Sequence, residues 1–170
     1  MNPGGIRADL TFAKTDPPET VDGIVRYEEA FTVQPFNNYM VSMSLTGADI
    51  WSLLQQQWSG SNAGSGTKFL QISSGLHYTW SGTGATQAVS AVSIKDPVSL
   101  TYVPVLNDAS KVYRIATNNF LSDGGDNFAV FKGGTGKYFG GLDIDAFANY
   151  LPKTTQPYAP LPLDRITKLL

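Results

Sequence analysis

The chain contains no cysteine and a single histidine, His77. The first absence rules out a disulfide framework and any thiolate zinc site. The second leaves no histidine pair for a metal centre or a nucleophile relay, and His77, next to Tyr78 in a strand-like segment, reads as structural or exposed. Charge is also scarce: charged residues make up 15% of the chain, the net charge is −2, and there is no Lys/Arg run. Such a surface binds nucleic acid or an anionic membrane poorly, but a small anionic ligand held by one or two placed arginines stays open. No apolar run approaches the roughly 18–20 residues of a membrane span, and the N-terminus shows no basic-then-apolar leader pattern. The 14 acidic residues are scattered without metal-ligand spacing. The serine-rich stretches contain no nucleophile elbow. Equipment for bond breaking is therefore missing from this sequence.

What is present is a core and a set of ligand-holding residues. Hydrophobic residues make up 42% of 170 residues, enough for one domain with a real core. Arg26 to Val33 reads as a short helix stopped by Pro35. Met40 to Leu45 alternates apolar and polar residues, as a half-buried strand does. Thr46 is placed as an N-cap with Asp49 in the first turn, and Ile50, Trp51, Leu54 and Trp58 then recur at helical spacing. Further strands are expected at Gly5–Phe12 (behind a turn), Phe69–Ile72, Leu76–Trp80, Ala88–Ile94 and Lys111–Thr117. A second helix is expected at Asp143–Leu151, stopped by Pro152. Ser59–Thr67 reads as a flexible loop, Asp16–Glu19 as a surface loop and Ser122–Asn127 as a glycine loop. Strands and helices mix without regular alternation, which predicts an α+β fold: a single layered domain of mixed or antiparallel sheet with packed helices. Residues 1–151 form the predicted domain. Residues 152–170 form a proline-rich tail that packs on it or extends from it. Met1 is followed at once by the turn Pro3-Gly4-Gly5, so the chain reads as a piece of a longer protein.

Two aromatic rings, two polar anchors and a cation are spread over three segments: MNPGGIR, QPF and NNFLSDGGD. These segments, together with SLTGADIWSLLQQQW, GTKFLQISSGLHY and RIATNNFLSDGGDNF, resemble the C-terminal domain of the 5'-nucleotidase family, which includes UDP-sugar hydrolases. The resemblance runs in order from Met1 to about Leu151. It implies that Phe36 and Phe120 sandwich a nucleobase, that Asp126 accepts the ribose hydroxyls, that Arg7 faces the phosphate and that Asn2 contacts the base or sugar side. Each role suits its chemistry. A ring on either face of a π-system contributes about 1–3 kcal/mol per base and tolerates different bases. A carboxylate on vicinal hydroxyls makes charge-assisted bonds, and a guanidinium fork fits phosphate.

Plainer readings stand beside these. The phenylalanines could be core, Asp126 could serve its own turn, and Arg7 could hold the GGD loop by a salt bridge. Asn127 stands where the family usually has glycine, and asparagine tolerates the left-handed region. Asn2, at the terminus, is expected to fray.

The resemblance further implies that hydrolysis belongs to a separate N-terminal metallophosphatase domain of the parent chain, with two divalent metals, zinc or manganese. No cofactor is assigned to this chain. Its expected partners are a nucleoside monophosphate or related nucleotide and that upstream domain. The implied location is extracellular, cell-surface or periplasmic. The alternative is a cell-surface interaction or ligand-binding module with no catalytic role.

Overall fold

A computed structural model describes residues 1–14, 21–154, 158–159 and 161–170. The loop expected at Asp16–Glu19 and the tail residues Pro157 and Pro160 lie outside the described residues. The α+β class is borne out. Strand β1 (Tyr39–Thr46), helix α2 (Gly47–Gln55), strands β2 (Leu76–Ser81), β3 (Ala88–Lys95), β4 (Tyr102–Pro104) and β5 (Val112–Asn118), helix α3 (Asn119–Ser122), strand β6 (Thr135–Leu142), helix α4 (Asp143–Tyr150) and strand β7 (Ile166–Lys168) follow helix α1 (Tyr27–Val33). They form a three-stranded sheet in the order β5-β1-β6 and a four-stranded sheet in the order β4-β3-β2-β7. All pairings are antiparallel except β2 with β7.

The core follows directly from the alternation in β1. Val41, Met43 and Leu45 are buried, while Ser42 and Ser44 lie on the other face. Helix α2 covers the apolar face with Ile50, Leu53 and Leu54 and also touches β3 of the second sheet. Its start is fixed as expected. Thr46 Oγ1 accepts the Asp49 N–H at 3.1 Å, and the Asp49 carboxylate accepts the Thr46 N–H at 2.9 Å. Gly47 is required there, because a Cβ would lie 2.2 Å from the Leu106 carbonyl oxygen.

Trp58 lies beyond the helix rather than on it. It packs with Phe69 and Trp80 at ring separations of 5.2–5.5 Å. Beside this cluster, fully buried Gln57 accepts bonds from the Leu70 N–H and the Tyr78 hydroxyl. Burial pushes the Tyr78 phenol up to about 12.

Several expectations are corrected. Phe69–Ile72 forms no strand, because its donors go elsewhere: the Leu70 N–H to Gln57 and the Gln71 N–H to the Met1 carbonyl at 2.6 Å. Gly5–Phe12 is not a strand either. Pro3–Gly5 is a 3-10 turn, and the Arg7 N–H caps the end of α1 at the Val33 carbonyl, 2.9 Å away. Ser59–Thr67 contains two 3-10 turns, at Gly60–Asn62 and Gly64–Gly66. The second expected helix is present as α4, Asp143–Tyr150, and Pro152 lies in the 3-10 turn that follows it, Leu151–Lys153. Strands β4, β6 and β7 lie outside the strands expected from the sequence. Through β7 the tail joins the four-stranded sheet.

Candidate functional site

The register of the three-stranded sheet places the site. Met40 pairs with Asn118 and Tyr39 with Leu142, so β1 begins where β5 and β6 end. The residues just outside those strand ends therefore meet at one edge. Phe36 precedes β1, Phe120 follows β5 in α3, and Asp143 follows β6 at the start of α4. They line a cleft of about 230 Å³. Asn2, Arg7 and Asp126 line it as well, so all five sequence-predicted residues come together.

Each ring is set by local structure. Asn118 caps α3 by accepting the Leu121 N–H at 2.9 Å, which orients the turn carrying Phe120. Asn119 Oδ1 accepts the Tyr39 N–H at 2.7 Å and so ties the Phe120 turn to the start of β1. Both rings are substantially exposed, Phe36 at 41% and Phe120 at 42%. The Arg7 guanidinium lies over the Phe36 ring, 4.9 Å from its centroid. Gly125 is required beside Phe120, since a Cβ there would come within 2.5 Å of its ring.

The GGD loop turns through the left-handed region. Gly124, Asp126 and Asn127 have φ values of 81°, 54° and 65°. Only the first is a glycine, so the two L-residues need outside support. Asn62 supplies much of it. Its Nδ2 donates to the Asp126 carbonyl at 2.9 Å, and its Oδ1 accepts from Asn127 Nδ2 at 3.1 Å. This explains how asparagine stands at position 127.

Asp126 itself is held at both oxygens, by Asn2 Nδ2 at 2.6 Å and by Lys68 Nζ at 2.5 Å. Asn2 is thus buried at 6% exposure rather than frayed. The ion pair on the GGD loop comes from Lys68 and not from Arg7. Lys68 and Asn62 carry no signal in the sequence beyond a polar segment, and sequence reasoning missed them. It also missed Asn38 and Asp143 in the cleft, where Asn38 Nδ2 donates to Asp143 Oδ2 at 3.3 Å and the Asp143 N–H donates to the Asn38 carbonyl at 2.8 Å. Among the described residues no group of three or more His, Asp or Glu side chains gathers as a metal site. Asp126 faces an ammonium, which is not the environment of a metal-ligating carboxylate.

Residues 1–133 match the model of the 5'-nucleotidase C-terminal domain. The chain belongs to that family. A cell wall protein of Listeria monocytogenes is 33% identical over 153 residues, covering 88% of this chain and 18% of that protein. A trifunctional nucleotide phosphoesterase of Bacillus subtilis is 31% identical over 170 residues, covering 99% of this chain and 11% of that protein. The chain thus spans less than a fifth of either relative. A 5'-nucleotidase precursor from Thermus thermophilus superposes with a TM-score of 0.70 at 31% identity, over 99% of this chain and 30% of that one. No helix among the described residues is long and apolar enough to cross a membrane.

Proposed function

We propose that this family member is the substrate-binding and specificity domain of a two-domain 5'-nucleotidase that converts nucleoside phosphates to nucleosides and phosphate. The observation that carries the reading is convergence. Five residues assigned from three separate motifs line one cleft with two exposed phenylalanine rings. Exposed rings at a concave site are suited to a flat ligand, whereas core phenylalanines would be covered.

In this reading the base stacks between Phe36 and Phe120. Asp126 accepts the ribose hydroxyls, and Arg7 swings from Phe36 toward the phosphate. Asn2 acts on the sugar side through the Asp126 carboxylate that it already holds. The hydrolytic step belongs to an N-terminal metallophosphatase domain of the same parent chain, whose two divalent metals, zinc or manganese, supply the attacking hydroxide. This chain alone binds and orients. The parent works outside the cytoplasm, as the name of the Listeria relative suggests for that protein.

Calorimetric titration with adenosine, AMP and uridine tests the proposal. Saturable binding that disappears in folded Phe36→Ala and Phe120→Ala is expected. Binding that survives both substitutions, or none by the folded wild type, overturns it and favours a surface interaction module.

A further inference from the structure

Asp126 is gripped from two sides by elements distant in sequence. Asn2 reaches Oδ2 from the N-terminal turn, and Lys68 reaches Oδ1 from the end of the 59–67 segment. Lys68 is not among the residues lining the cleft, and its side chain is about a third exposed. Its contact with the site therefore passes through the carboxylate.

An aspartate in a left-handed turn has an easy alternative, which is to fold back on its own backbone donors. The backbone at Asp126 has φ 54° and Asn127 follows at 65°, so that alternative is close at hand here. A pair of opposed donors removes it. Each carboxylate oxygen offers about two acceptor directions, so one tie on each leaves one free direction on each. Two parallel acceptors are what a vicinal diol needs.

We propose that Lys68 is a positioning residue for sugar recognition: by pinning Asp126 Oδ1 opposite Asn2, it makes the cleft selective for ligands that carry a free 2',3'-diol. The inference rests on the nucleoside reading above and adds the group that enforces its sugar preference.

The test compares adenosine with 2',3'-dideoxyadenosine in calorimetric titrations of wild type, Lys68→Met, Lys68→Arg, Asp126→Asn and the Lys68→Met/Asp126→Asn double variant. Thermal melts confirm folding of each. Wild type is expected to prefer adenosine by about tenfold or more, the scale of one charge-assisted bond. Lys68→Met loses that preference by weakening adenosine alone, and Lys68→Arg restores most of it. In the Asp126→Asn background, Lys68→Met changes neither affinity. If Lys68→Met does not fold, Lys68→Ala, which also lacks a donor for Asp126 Oδ1, carries the same comparison.

An unchanged preference in Lys68→Met overturns the proposal. So does an equal loss of both ligands, since a merely structural role would displace Phe120 and weaken the two alike. Wild type that binds both nucleosides equally refutes diol selection while leaving the base clamp standing. Folded wild type that binds neither removes the nucleoside reading itself and this inference with it.

Discussion

Phe120 and Phe128 stand on either side of the GGD loop and meet opposite fates. Phe128 is fully buried at 0% exposure and meets Phe131 edge-on at 6.4 Å, within the core that β1 and α2 build. Phe120 is 42% exposed at the rim of the cleft. The residue type is the same, so composition and hydrophobicity do not decide between them. The loop does. Its left-handed residues reverse the chain between the two rings, and Asn62 holds the reversal in place. One ring is packed into the core and the other lies open in the cleft.

The largest expected effect separates the two directly. Phe128→Ala should cost about 3–5 kcal/mol, because it empties a packed site. Phe120→Ala should cost less than about 1 kcal/mol, as for an exposed side chain. Urea denaturation of both variants measures this, and equal losses would break the comparison. The next effect is smaller and sharper. Gly125→Ala forces a methyl against the Phe120 ring, with an expected stability loss of about 1–3 kcal/mol from overpacking. Nucleoside affinity should fall along with it, since the ring is displaced. A variant that binds normally would show that Phe120 tolerates movement. Smallest is Thr46→Ala, which removes the cap of α2 for about 1 kcal/mol. Its nucleoside affinity should match wild type in the same titration, because α2 belongs to the core and not to the cleft.

The same division explains what the sequence made legible. Strand β1 and helix α2 were readable because their signals are local: a period of two in residues 40–45, then a cap and helical spacing from Thr46. Strand β6 was not, since Gly136, Gly140 and Gly141 remove the side chains that would show a period, and its pairing with β1 is what makes it a strand. Residues 69–72 misled for the opposite reason. They have the apolar character of a strand, but their donors are taken by Gln57 and by the Met1 carbonyl.

At the site, Phe36, Phe120, Asp126, Arg7 and Asn2 were visible because each sits in a recognisable motif. Lys68 and Asn62 were invisible because each acts across a long sequence separation on the backbone or carboxylate of Asp126. For Asn2, a terminal position in the sequence says nothing of the Asp126 carboxylate that holds it.

The function proposed above places a base between Phe36 and Phe120. The most direct measurement is of intermolecular NOEs between the adenine protons of bound adenosine and the ring protons of selectively labelled phenylalanines. A stacked base is expected to give NOEs to both Phe36 and Phe120 and to no core ring. Saturable binding with NOEs to neither ring would contradict it.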